Sequence, residues 1–104
     1  MVKILLVCSA GMSTSMLVKK MQEEATHRSL DAEIVAVGDA DSAKQLETSS
    51  IVMLGPQVRY LEKSMIDRVD NKIPVCVIDM QAYGMMNGAK VLDDALKAIE
   101  EFHN

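Results

Sequence analysis

Short apolar runs alternate with helix-like segments along the whole chain, and this alternation most restricts the possible fold. The apolar runs that read as strands are Val2–Val7, Glu33–Gly38, Ser50–Leu54 and Pro74–Ile78. Near-continuous apolar runs of this length are typical of strands that are covered on both faces. Strand–helix alternation predicts a parallel sheet between two layers of helices. We therefore expect a single α/β domain over residues 1–104, a usual length for one domain.

Helical segments fill most of the intervals between these strands. They are Met12–His27, Asp39–Leu46, Gln57–Val69 and Lys90–Phe102. Asp39 or Asp41 is the expected N-cap of the second helix, and residues 79 to 88 are predicted as a loop. The predicted strand order is 2-1-3-4 with right-handed crossovers. This order reverses between strands 1 and 3, and ligands bind outside the carboxyl ends of strands at such a point.

The stretch CSAGMSTS, residues 8–15, begins at that point, directly after the first strand. Gly11 permits backbone conformations that other residues disfavour, so that successive amide groups can converge in front of the next helix. Such amides and the positive end of a helix dipole attract an anion. The nucleotide P-loop pattern GxxxxGK[ST] is absent. The predicted anion-binding residues are Ser9, Ala10, Gly11, Met12, Ser13, Thr14 and Ser15, and at least one of the hydroxyls at 13–15 is expected to cap the helix.

Cys8, at the mouth of this segment, is the candidate nucleophile. The same amide and hydroxyl donors are expected to lower the pKa of its thiol below the ~8.5 of a free cysteine. A cysteine that ends a strand is often only a core residue, and for Cys76, inside the run VCVI, we favour that interpretation. His27 and His103 end helices, where a positive charge is favoured, and neither has an evident catalytic partner.

Composition argues against several functional classes. The net charge is -4, whereas binding to a phosphate backbone calls for a basic face. Aromatic residues make up only 3% of the chain and offer no platform for stacking bases. The two cysteines form no CxxC pair, and no apolar stretch is long enough to span a membrane. We expect a full-length cytoplasmic protein with no nucleic-acid partner, no metal and no cofactor.

Three stretches of the sequence carry a family resemblance. They are KILLVCSAGMSTSMLVKKM, IVMLGPQVRYLEK and IDMQAYGMMNGAKVLDDAL. In this order they resemble enzyme IIB of the bacterial sugar phosphotransferase system, in its lactose, cellobiose and diacetylchitobiose family. The resemblance implies that a histidine of enzyme IIA phosphorylates Cys8, and that Cys8 phosphorylates a sugar bound by the membrane component, enzyme IIC. It also implies peripheral association with enzyme IIC and a sugar such as a β-linked disaccharide.

Side chains that flank the 8–15 segment are candidates for docking both partners in turn. Unbranched methionines can repack against different surfaces, although they are also common gap fillers in protein cores. The predicted docking residues are Met12, Met16, Gln57, Tyr83, Met85 and Met86.

Low-molecular-weight tyrosine phosphatases and related arsenate reductases provide an alternative, since the predicted fold resembles theirs and they also place a cysteine after strand 1. Phosphatases use the pattern C-x5-R-[ST], and counting from Cys8 puts Thr14 at the arginine position. An arginine fork stabilises the charge of the transition state, so its absence favours a carrier. Arg59 or Arg68 could still reach the site, and Asp79 could act as a general acid, although capping of the next turn is favoured for it. A module that only binds a small anion or a nucleotide is a third reading, which leaves Cys8 unexplained.

Overall fold

Four parallel strands form one sheet in the order β2-β1-β3-β4. This is seen in the computed structural model, which describes residues 1–9 and 12–103 and, for Met12 and Ser13, the backbone alone. The predicted α/β class and strand order are confirmed. The strands are β1 (Val2–Val7), β2 (Ala32–Val37), β3 (Ile51–Leu54) and β4 (Val75–Val77).

The helices follow the predicted alternation, with differences in the second half of the chain. Where one helix was predicted over Gln57–Val69, a 3₁₀ helix leads into an α-helix, and the buried Val58 has a non-helical backbone with φ −119° and ψ 24°. The predicted loop at 79–88 contains a short helix, α4. The helical elements are α1 (Met12–His27), α2 (Asp39–Leu46), a 3₁₀ helix (Pro56–Leu61), α3 (Glu62–Arg68), α4 (Met80–Gly84) and α5 (Gly88–Phe102).

Two of the predicted helix caps are wrong. Gly38 occupies the N-cap of α2 without a side-chain hydrogen bond, so Asp39 and Asp41 lie inside the first turn. In the first turn, their carboxylates interact favourably with the positive end of the helix dipole, but neither residue occupies the N-cap position. Helix α1 begins at Met12, and the hydroxyl residues at 13–15 therefore lie in its first turn and not at its N-cap position. Asp79 does act as a cap, because its carboxylate accepts a hydrogen bond from the Ala82 amide at 3.0 Å.

The core has two parts, one on each face of the sheet. Alternate residues of β1 point to opposite faces, as the pleat of a strand requires, and all of Ile4–Val7 is buried. Ile4 and Leu6 pack with residues of α1 and α5, whereas Leu5 and Val7 pack with residues of the 3₁₀ helix and α3. In the described part of the chain, no helix combines the length and the apolar character needed to cross a membrane. The sheet is thus covered on both faces, and its strand ends are left to form a site.

Candidate functional site

Cys8 lies at the carboxyl edge of the sheet, between the ends of β2 and β3. Its amide donates to the Val37 carbonyl at 3.0 Å, which extends the β1–β2 ladder by one residue. On the other side, the Gly55 amide donates to the Val7 carbonyl at 2.9 Å. Cys8 is therefore held by both neighbouring strands at the predicted reversal of strand order.

A pocket of about 200 Å³ opens beside Cys8. Three of the predicted anion-binding residues, Ser9, Thr14 and Ser15, line it. The end of β2 forms the other wall, a contribution that sequence reasoning missed although the predicted position of β2 beside β1 could have indicated it. This wall consists of Ala36, Val37 and Gly38. Ala10, Gly11 and the side chains of Met12 and Ser13 lie outside the described part, so their predicted roles stay predictions.

Gly55 makes room for the Cys8 sulfur. A Cβ atom on Gly55 would lie 2.9 Å from Cys8 Sγ and 2.8 Å from Gln57 Oε1, closer than real Cβ contacts. The backbone of Gly55 has φ −61° and ψ 151°, which any residue can adopt. Glycine is therefore needed here for space and not for its conformational freedom. The same geometry shows that the side-chain oxygen of Gln57 lies close to Gly55.

Thr14 and Tyr83 form a buried pair next to Cys8. Thr14 is 4% exposed, Tyr83 is 8% exposed, and their hydroxyl oxygens are 3.2 Å apart. Thr14 and Cys8 line the same pocket, and hydrogen bonding by the Thr14 side chain acts to lower the pKa of the Cys8 thiol. Because its side chain is buried, Tyr83 does not offer the exposed docking surface that was predicted for it. Thr14, at the arginine position of the phosphatase pattern, is likewise enclosed.

The prediction of an acidic Cys8 is wrong. Burial raises the pKa of the Cys8 thiol above its ordinary value, because desolvation penalises the thiolate. Hydrogen bonds from the Thr14 side chain and the Gly55 backbone lower the pKa, but less than burial raises it. Burial thus favours the neutral thiol over the thiolate when the site is at rest.

The remaining predicted docking residues are mostly exposed, and Arg68, which was considered as a possible site residue, pairs with a carboxylate elsewhere. Met16, Gln57 and Met85 are exposed, whereas Met86 is half-buried and packs against the core between the sheet, α1 and α5. Arg68 donates to the Asp39 carboxylate at 2.7 Å. Among the described residues, the hydrogen bonds that act on the Cys8 sulfur come from Thr14 and Gly55, and none comes from a guanidinium. The arginine fork of a phosphatase is thus missing from the described part of the site.

A small parallel α/β domain with a cysteine at the end of β1 and a helix after it has a phosphatase-like fold. Similar proteins of known structure narrow this class of fold to a smaller group. The solution structure of a cellobiose-specific phosphotransferase IIB component from Borrelia burgdorferi superposes with a TM-score of 0.79 at 38% identity, covering 96% of this chain and 93% of that one. The lactose-specific IIB domain of Streptococcus pneumoniae gives a TM-score of 0.83 at 17% identity, covering 93% of this chain and 96% of that one, and supports the fold alone.

Sequence comparison gives the family. The sequence model of the PTS system, lactose/cellobiose specific IIB subunit, matches residues 3–94. The oligo-beta-mannoside-specific EIIB component of Bacillus subtilis (strain 168) is 45% identical over 97 residues, which cover 92% of this chain and 94% of that protein. The galactose-specific and cellobiose-specific EIIB components of two Lactococcus lactis strains are each 42% identical over 95 residues, covering 86% of this chain and 88% of each relative.

The chain therefore belongs to the lactose/cellobiose IIB family of the phosphotransferase system. It is a phosphotransferase component of the kind that serves sugar uptake. The alternative of a phosphatase or an arsenate reductase is not favoured by these comparisons.

Proposed function

We propose that Cys8 carries the phosphoryl group of this IIB component. It accepts the group from a histidine of enzyme IIA and transfers it to a sugar that enzyme IIC holds at the membrane. The observation that carries the proposal is the position of Cys8 just beyond the carboxyl end of β1, where it lines an open pocket together with Ser9, Thr14 and Ser15. Residues 1–104 act as one phosphocarrier domain in the cytoplasm.

The transfer is a pair of exchanges at phosphorus. In the first, the Cys8 sulfur attacks the phosphorus of phosphohistidine, the S–P bond forms, the P–N bond breaks, and the thiol proton ends on the imidazole nitrogen. In the second, a sugar hydroxyl oxygen attacks the same phosphorus, the S–P bond breaks, and the hydroxyl proton ends on sulfur. Protons balance in both exchanges, so a thiol that burial keeps neutral is compatible with the reaction.

The site can stabilise the charge that the phosphoryl group brings. Helix α1 begins at Met12, within the 8–15 segment, and the amides and dipole at a helix N-terminus favour an anion. Ser9 and Ser15 line the pocket with exposed side chains and can donate to phosphoryl oxygens. These donors hold a charged group without the guanidinium that promotes its hydrolysis.

The names of the relatives support a proposal for the class of sugar that accepts the phosphoryl group. Their names specify oligo-β-mannosides, galactose and cellobiose. We propose a β-linked disaccharide as the acceptor, with the choice of sugar made mainly by enzyme IIC.

Phosphopeptide mapping tests the assignment of Cys8. The intact chain is incubated with phosphorylated enzyme IIA and digested, and its peptides are analysed by mass spectrometry. We expect one phosphoryl group on the peptide that contains Cys8. A phosphoryl group on Cys76 or on a histidine would refute the assignment.

Turnover of an aryl phosphate separates a carrier from a hydrolase. We expect negligible turnover, because no guanidinium acts on Cys8 among the described residues and the Asp79 carboxylate caps α4. Phosphorylated protein should persist until an acceptor is added. Thr14→Arg is expected to destabilise the fold and not to create a phosphatase, since Thr14 is buried against Tyr83. Steady turnover by the unmodified chain that Cys8→Ser abolishes would support a phosphatase instead.

A further inference from the structure

Tyr83 brings a hydroxyl from α4 into the core beside the first turn of α1. Its side chain belongs to the apolar cluster between the sheet, α1 and α5, where the phenol ring packs as any aromatic ring would. A buried hydroxyl is costly unless it finds a hydrogen-bond partner, and the partner here is Thr14 Oγ1, at 3.2 Å. Packing alone would be served by phenylalanine, so the hydroxyl calls for a separate explanation.

Counting protons shows how this hydroxyl can act on Cys8. A threonine hydroxyl has one proton and can accept in addition. When Thr14 donates that proton to the Cys8 sulfur, the contact with Tyr83 can be a hydrogen bond only if Tyr83 is the donor. When Cys8 is a thiol, its S–H can donate to Thr14, and Thr14 is then free to donate to Tyr83. The direction of the chain Tyr83–Thr14–Cys8 thus depends on the charge at sulfur.

We propose that Tyr83 is a positioning residue whose hydroxyl holds the Thr14 hydroxyl in the orientation that directs its proton at Cys8 Sγ. It acts through Thr14 and does not touch the phosphoryl group. The proposal rests on the proposed function of Cys8, because an oriented donor matters when the sulfur becomes the nucleophile and, later, the leaving group. Hydrogen bonds in such a chain polarise one another, which strengthens the donor nearest the charge.

The surroundings of Cys8 make this donor important. Burial disfavours the thiolate, and the groups that oppose burial are the Thr14 side chain and the Gly55 backbone. Among the described residues, no charged side chain shifts the pKa of Cys8. Hydrogen bonding is therefore the means by which the described residues stabilise negative charge on this sulfur, and its strength depends on orientation.

The two tyrosines of the chain provide a matched pair of variants. Tyr83→Phe removes the buried hydroxyl, and Tyr60→Phe removes the hydroxyl of a side chain that is 75% exposed. The measurement is the rate of Cys8 alkylation by iodoacetamide against pH, with peptides resolved by mass spectrometry. We expect Tyr83→Phe to lower the thiolate fraction at a fixed pH by about threefold to tenfold, the effect of one hydrogen bond. Tyr60→Phe should follow the parent curve.

A double-mutant cycle tests whether Tyr83 acts through Thr14. Thr14→Val removes the intermediate hydroxyl, and in that background the effect of Tyr83→Phe should vanish. Thr14→Ser, which keeps a hydroxyl, should restore sensitivity to Tyr83→Phe. The same shift with and without the Thr14 hydroxyl would overturn the proposal, as would an unshifted curve for Tyr83→Phe with an unchanged melting temperature.

If Tyr83→Phe does not fold, a measurement on the native Tyr83 side chain tests the same proposal. The ¹³Cζ resonance of Tyr83 is followed against pH in the parent and in Cys8→Ser. An inflection at the Cys8 midpoint that is present in the parent and missing from Cys8→Ser supports the proposal, and its absence from the parent overturns it. Neither assay uses enzyme IIA, so failure here is distinguishable from failure of the phosphopeptide assignment.

Discussion

The two cysteines of this chain are both largely shielded from water, yet their surroundings differ in kind. Burial raises the pKa of both thiols. At Cys76 the carboxylates of Asp94 and Glu62 add to burial and raise the pKa to about 11. At Cys8, donors from Thr14 and Gly55 oppose burial. Depth in the protein therefore does not separate a candidate nucleophile from a core thiol, whereas hydrogen-bond donors do.

Position in the sheet separates the two residues further. Cys76 lies inside the edge strand β4, opposite Met53 of β3, and its side chain packs on the core between the sheet, α1 and α5. Cys8 is the first residue beyond the central strand β1, and it lines a pocket at the carboxyl edge of the sheet.

The largest expected effect is the loss of phosphoryl acceptance in Cys8→Ser. The change is nearly isosteric, so the fold should survive while the sulfur that bonds to phosphorus is removed. Cys76→Ser should still accept the group from enzyme IIA, at some cost in stability because a hydroxyl is buried. Intact-mass analysis after incubation with phosphorylated enzyme IIA gives the extent of phosphorylation of both variants. Circular dichroism checks that both are folded. Full phosphorylation of Cys8→Ser would reverse the roles assigned to the two cysteines.

A smaller loss is expected when the space beside the Cys8 sulfur is filled. Gly55→Ala places a Cβ atom 2.9 Å from Sγ, so the sulfur or β3 must move. A displacement of about 1 Å at a reacting centre can cost on the order of 10²-fold in rate, and we expect Cys8 alkylation to slow by about 10- to 100-fold.

Gly84→Ala is the matched control, since a Cβ atom there meets nothing within 4 Å. Its alkylation rate should equal that of the parent. Equal rates for Gly55→Ala and the parent would mean that the close approach of Gly55 has no effect on the sulfur.

The raised pKa of Cys76 predicts a pH-dependent difference in stability. The unfolded thiol loses its proton near 9.0 and the folded thiol near about 11, so the unfolded chain binds fewer protons between these values. The free energy of unfolding then falls as pH rises through this window. The parent should lose about 2 kcal/mol more than Cys76→Ala between pH 9 and 11, as measured by urea titration. Parallel curves for the two proteins would show that Cys76 ionises as freely as in the unfolded chain.

The smallest expected signal is the change in chemical shift when enzyme IIA is added. Met16 and Met85 are exposed, and as predicted docking residues their methyl resonances should move. The amide of Cys76, inside β4, and the side chain of His27, at the far end of α1, should not. Chemical-shift changes centred on β4 would place the docking surface near Cys76 and would contradict the predicted docking residues.

Local pattern was sufficient to predict the order of elements, the parallel sheet and the place of the 8–15 segment. Each of these depends on signals within a few residues, such as the apolar run of Val2–Val7 or the helical spacing after Met12. Even the helix that the sequence analysis missed, α4, has a local signal in Asp79, whose capping was predicted without the helix that it begins.

Three features were decided by tertiary structure, and each depends on residues that are distant in sequence. The Thr14–Tyr83 hydrogen bond joins side chains 69 positions apart, so no local pattern indicates it. The space at Gly55 is defined by the Cys8 sulfur, which lies just beyond the end of the neighbouring strand β1. The sign of the Cys8 pKa shift depends on how completely the assembled fold removes water from the sulfur, and in this fold that desolvation exceeds what the described hydrogen-bond donors return.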